Sequence, residues 1–116
     1  MNAPAIELPD PAPGETAPYC IAGTAKAKPG QAEALARRLL DLVAPTRAEP
    51  GALEYHVHRD RDDPDLFVFY EAWRSVEHLR AHLGRPYIAS FLAERMTYLE
   101  RDMEMHWVAM LSPYAR

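Results

Sequence analysis

The stretch ALEYHVHRDRDDPDLFVFYEAW, residues 52–73, decides the fold. In its first eight residues Leu53, Tyr55 and Val57 alternate with Glu54, His56 and His58, the period-two pattern of a strand with one face against a core. The polar loop RDRDDPD, residues 59–65, interrupts the run. LFVFYEAW, residues 66–73, is aromatic and β-branched on both sides, which predicts a strand covered on both faces.

Upstream, the period changes. Leu35, Leu39, Leu42 and Val43, with Ala32 and Ala36, form one stripe of an amphipathic helix starting near Gln31. Pro45 should kink or end it, and Pro50-Gly51 stops it. Before that helix, YCIAGTAKA (residues 19–27) reads as a strand ending at the turn Lys28-Pro29-Gly30. Downstream, Ser75 is a candidate N-cap for a helix through about Leu83, with Val76, Leu79 and Leu83 inward. Gly84-Arg85-Pro86 breaks that helix, and Pro86 opens another carrying Tyr87, Ile88, Phe91, Leu92 and Arg95. DMEMHWVAML, residues 102–111, reads as a last strand with two apolar faces.

The order strand, helix, strand, strand, helix, strand predicts a ferredoxin-like α+β fold, βαββαβ, in which helices cover one face of an antiparallel sheet. Its other face, apolar on the last strands, is expected to meet a second copy and make a homodimer, a dimeric α/β barrel. Residues 1–18 hold five of the eleven prolines and read as a flexible arm outside the domain at 19–116. A net charge of −4 excludes the clustered basic face that nucleic acid requires. No apolar run reaches the roughly 18 residues of a membrane span, and no charged-then-apolar signal opens the chain. Cys20 is alone, so no disulfide framework argues for secretion, and a cytoplasmic location is the expectation.

Three segments carry a family likeness: KPGQAEAL (28–35), TRAEPGALEYHVHRD (46–60) and FVFYEAWRSVEHLRAHLGRPYIASF (67–91). Their hallmarks are the Pro-Gly before the second strand, the strand ending in E-x-W and the His of A-H-L. From about Tyr19 to Leu111 the chain resembles the antibiotic biosynthesis monooxygenase family, whose members form dimeric α+β barrels. The resemblance implies a cofactor-free oxygenase acting with O2 on electron-rich hydroxyaromatics, either quinols or polyketide anthrones and naphthols. Such substrates, once deprotonated, supply their own electrons, so the protein binds a flat ring, takes a proton and excludes water.

Under that resemblance His58 and His82 are the catalytic candidates, base and orienting group. Phe69, Glu71, Trp73, His56, Tyr87 and Phe91 are the candidates for binding a ring. Each has a plainer reading. His58 and its face-mate His56 suit a solvated sheet, His82 a satisfied core histidine, and the aromatic residues ordinary core. Glu71 shares a strand face with Phe69 and Trp73 and, if buried, needs a partner such as Arg95, Lys26 or a backbone donor. Two strand histidines with His82 or Glu71 could chelate a metal, but no H-E-x-x-H pattern is present and the resemblance implies none. Haem degraders of this fold use an Asn, a Trp and a proximal His where this chain has Gly23, His82 and Leu92, which argues against haem cleavage. A non-catalytic ligand-binding barrel is a further alternative, and so is an isomerase of phosphorylated or lactone substrates served by Lys26, Arg59 and Arg95.

Overall fold

In the computed structural model, which describes residues 6–8 and 10–114, the strands at 52–59 and 66–73 form an antiparallel pair. In chain order the elements are β1 (Tyr19–Lys26), α1 (Ala32–Asp41), α2 (Val43–Arg47), β2 (Ala52–Arg59), β3 (Leu66–Trp73), α3 (Val76–Leu83), α4 (Pro86–Glu94) and β4 (Glu104–Ala109). The sheet order is β2-β3-β1-β4 with every pairing antiparallel, so the fold is the ferredoxin-like α+β arrangement. Among the described residues no helix is long and apolar enough to cross a membrane.

Local chemistry sets the boundaries. The long helix expected from Gln31 breaks at Leu42, one turn ahead of Pro45, because a proline lacks the N–H and crowds the carbonyl four residues earlier, here that of Asp41. Ser75 caps α3 by accepting the His78 N–H at 3.1 Å, and Pro86 occupies the first turn of α4. Gly51 has φ +81°, and a Cβ there would sit 2.3 Å from the His78 ring, so the Pro-Gly corner requires glycine on two counts. The last strand is shorter than the predicted 102–111, since Asp102 turns aside to pair with Arg95.

The helices cover one sheet face. Ala25, Leu35, Leu39, Leu42, Tyr55, Phe67, Ile88, Phe91 and Leu99 form the main core, while Ile21, Trp73 and Leu79 form a smaller one at the other end. Strand parity then sorts the remainder. Tyr55, Val57, Phe69, Glu71, Trp73, Met105 and Trp107 point to the helices, whereas His56, His58, Val68, Tyr70, His106 and Val108 share the outer face. Within the single chain that outer face is covered only in part: Cys20 and Ala72 are buried and the Tyr114 hydroxyl donates to Glu54. Val68 and Val108 are 37% and 36% exposed, so the double burial expected for β3 and β4 is not met by the chain alone.

The described part of the arm lies against the domain. Leu8 packs on the Ile21, Trp73, Leu79 cluster, Asp10 pairs with Arg80 at 2.9 Å, and the Tyr19 hydroxyl donates to the Glu15 carbonyl at 3.0 Å. Residues 1–5 and 9 of the predicted arm lie outside the described residues.

Leu35 is wholly buried at the centre of the main core. Leu35→Ala is expected to cost about 2–5 kcal/mol, read as a lowered urea midpoint with an unchanged slope. A loss below 1 kcal/mol would mean that α1 does not pack as described.

Candidate active site

Between helices and sheet lies a cavity of about 50 Å³, lined mostly by apolar side chains, among them Leu39, Val57, Phe69, Phe91 and Met105. Its polar groups are Tyr55, Glu71 and His82, contributed by β2, β3 and α3. Among the described residues no Lys or Arg lines it. An apolar chamber with a few convergent polar groups is the usual form of a small-molecule site.

His82 is the hub. Its ring is 2% exposed, lies 4.7 Å from the Trp73 ring and meets Tyr55 edge-on at 5.7 Å. His82 Nδ1 sits 2.9 Å from Glu49 Oε2, and its Nε2 lies 3.8 Å from Glu71 Oε1. Glu49, itself buried, also accepts from the Tyr87 hydroxyl and faces Arg85 Nε at 3.3 Å. A carboxylate held by these donors accepts a hydrogen bond from the Nδ1–H of a neutral imidazole, which leaves Nε2 as an acceptor toward Glu71 and the cavity. Burial keeps the His82 pKa below its ordinary value, opposed by the Glu49 hydrogen bond.

Glu71 is the complementary group. Burial raises its pKa to about 7, the Trp73 indole N–H donating at 3.0 Å pulls it down, and the Glu49 charge adds to the rise. A carboxyl group raised toward neutrality by burial and an imidazole kept neutral by burial, 3.8 Å apart, can take and return a proton. Tyr55, also lining the cavity, has its phenol held well above the ordinary range, first by burial and then by Glu71.

Of the residues singled out from sequence, Phe69, Glu71, His82 and Phe91 meet at the cavity. Trp73 does not line the cavity: it is fully buried beside His82 and donates to Glu71. Tyr87 likewise turns its hydroxyl to Glu49 instead of to the chamber. His58 and His56 are corrected more sharply. Because Tyr55 and Val57 face the helices, period-two alternation puts both histidines on the opposite sheet face. There His58 Nδ1 is 3.1 Å from the Val68 carbonyl, and His56 bridges Glu54 at 2.7 Å and Arg47 at 3.1 Å. The two cannot share a metal with His82 or Glu71, and among the described residues no three His, Cys, Asp or Glu converge on a metal position. The partner of Glu71 is Trp73, not Arg95 or Lys26, which pair with Asp102 and Asp63.

The residue that sequence reasoning missed is Glu49. It directly precedes Pro50-Gly51, where an acidic side chain reads as turn surface. Tyr55 carried a usable signal, since it alternates with Glu54 and His56 on the apolar side of the β2 pattern.

The sequence profile of the antibiotic biosynthesis monooxygenase family matches residues 18–94, from β1 through α4. The chain belongs to that family. PA3566 of Pseudomonas aeruginosa has a similar crystal structure, 37% identical with a TM-score of 0.78 over 84% of this chain and 97% of that one. Rv0793 of Mycobacterium tuberculosis, provisionally named a monooxygenase, is 32% identical over 99 residues, 84% of this chain and 93% of that protein. The structure of Rv0793 matches with a TM-score of 0.80 over 85% of this chain and 100% of its own. The protein sll1783 of Synechocystis is 28% identical over 102 residues, 88% of this chain and 69% of its own length.

The Glu71 shift has a measurable sign. Its pKa is raised from 4.5 to about 7, so the stability it contributes is fully present below pH 4.5 and is lost as pH rises through 7. Glu71→Gln, neutral throughout amid Glu49, His82 and Arg85, is expected to gain on the native protein between pH 5 and pH 8 by up to about 3 kcal/mol. Melting curves across that range check it, and a constant difference would mean that Glu71 is ionised throughout.

Proposed function

We propose that this protein is a cofactor-independent monooxygenase that oxidises an uncharged, electron-rich hydroxyaromatic, a quinol or a polyketide anthrone or naphthol, with O2. The observation that carries the reading is the acid-base cluster at one end of an otherwise apolar chamber: Glu71 and His82 inside, with Glu49 behind them. Flat rings suit Phe69 and Phe91, and a ring hydroxyl directed at the gap between Glu71 Oε1 and His82 Nε2 would meet two acceptors.

The chemistry balances without a further reductant. His82 or ionised Glu71 takes the acidic proton, and the substrate anion passes one electron to O2. The resulting radical and superoxide combine to form a C–O bond. Protonation and cleavage of the O–O bond then leave one oxygen in the product carbonyl and release the other as water. For an anthrone the methylene becomes the carbonyl of an anthraquinone. Low polarity strengthens the electrostatic contacts that hold the anion and limits proton leakage. Glu49 acts behind the reaction by holding the His82 tautomer, as an orienting carboxylate does in a catalytic triad.

The lining favours this reading over an isomerase of phosphorylated substrates, which needs cations at the site. Lys26 is paired with Asp63, Arg59 with Glu33 at 3.1 Å, and Arg95 with Asp102. The same proposal includes a homodimer built on the outer sheet face, where Val68, Tyr70 and Val108 need cover.

Two experiments test the proposal. Oxygen uptake by metal-stripped protein with 1,8-dihydroxyanthrone and menadiol should fall about 10²-fold or more in His82→Ala, general-base loss being worth roughly that, while His58→Ala stays within about twofold. Uptake no faster than the uncatalysed rate with any hydroxyaromatic would leave a ligand-binding barrel as the reading. For the assembly, light scattering should give twice the chain mass for the native protein and the single-chain mass for Val68→Asp; a monomeric native protein would end the dimer proposal.

A further inference from the structure

We propose that the N-terminal arm is a plug for the cavity, with Ile6 as the stopper, and that it must swing away before a ring can enter. Ile6 lines the chamber together with Phe69, Glu71, His82, Phe91 and Met105, yet it belongs to no helix or strand and lies outside the family match that begins at residue 18. With Ile6 seated, about 50 Å³ remains open, room for a few waters and not for an aromatic ring. The remaining lining side chains belong to the sheet and helices or to the short segments at Leu42 and Met103 that join them, so the arm is the wall that can leave at least cost to the core.

Its attachments are of the kind that release. Leu8, half-buried, packs on the smaller core of Ile21, Trp73 and Leu79. Asp10 pairs with Arg80 at 2.9 Å, but the two side chains are 92% and 48% exposed, where an ion pair contributes little and salt screens it. An apolar side chain in an apolar chamber, tethered by a weak latch, competes with any apolar ligand for the same space. The arm thus sets an occupancy threshold: only a ligand that displaces Ile6 reaches Glu71 and His82. The inference rests on the proposed function only in taking a flat ring as the ligand.

The test titrates N-phenyl-1-naphthylamine, a neutral fluorescent ring compound, into the full-length native protein and its variants, following energy transfer from tryptophan. Ile6→Asp and Leu8→Asp should tighten the apparent Kd about tenfold, the penalty lifted when an open form populated at roughly 10% becomes dominant. Arg80→Asp should tighten it by a smaller factor, and Asp10→Arg combined with Arg80→Asp should return it toward the native value, which loss of folding would not do. Leu92→Trp, which fills the chamber, should abolish binding in every background. Unchanged or weaker binding in both Ile6→Asp and Leu8→Asp, or no binding by any of the proteins, overturns the plug. Tighter binding without oxygen uptake on any substrate leaves the plug standing and removes the monooxygenase reading; uptake with binding unmoved by the arm variants does the reverse.

Discussion

A carboxylate sealed under an apolar layer must find donors or give up its charge, and Glu49 is the residue through which this fold meets that constraint. From the turn between α2 and β2 it reaches α3 through His82 and the start of α4 through Tyr87 and Arg85. The turn at Glu49 and the two consecutive helices α3 and α4, more than thirty residues on, are thereby held at one point. The arrangement is costly if incomplete, because removing one partner of a buried charged network strands the other. It also holds the His82 ring against Trp73, tilted by 38°, with Nε2 on the side of Glu71.

Sheet geometry supplies the other half. Glu71 sits at the middle of the sheet, paired across β1 at Ile21 and across β2 at Tyr55, and it accepts a hydrogen bond from the indole N–H of Trp73, two positions along its own strand. Strand positions two apart lie on one face, so E-x-W is a ready-made carboxyl and donor pair. Gly23, directly across from Phe69 on β1, leaves room for that ring: a Cβ there would lie 2.6 Å from it and 2.3 Å from the Glu104 carbonyl. The apolar wall and the acid-base pair are thus consequences of one register.

Seen this way, the two sheet faces have different work. The inner face carries the chamber, closed by helices and by Ile6. The outer face carries Val68, Tyr70, His58 and Val108, a mixed surface on which Val68 and Val108 are partly exposed. Family membership rests on the match over residues 18–94, which spans β1 through α4.

The sequence by itself determined the elements. Alternation at 52–59, the aromatic run at 66–73, the leucine stripe of α1, the Ser75 cap and the Pro86 start are local signals, governed by neighbours a few positions away, and their order leads to the ferredoxin-like sheet. It also marked Glu71, His82, Phe69 and Phe91, because each stands inside a recognisable pattern. Only the tertiary structure decided which face of β2 meets the helices. That choice sent His56 and His58 away from the cavity, since period two states that they share a face but not which layer covers it. Nor could local pattern find Glu49, whose burial depends on α3 and α4 folding over a turn more than thirty residues earlier, as the separation between Glu49 and His82 shows. Strand and helix propensity act over neighbours; burial and pairing are set by what the whole chain brings together.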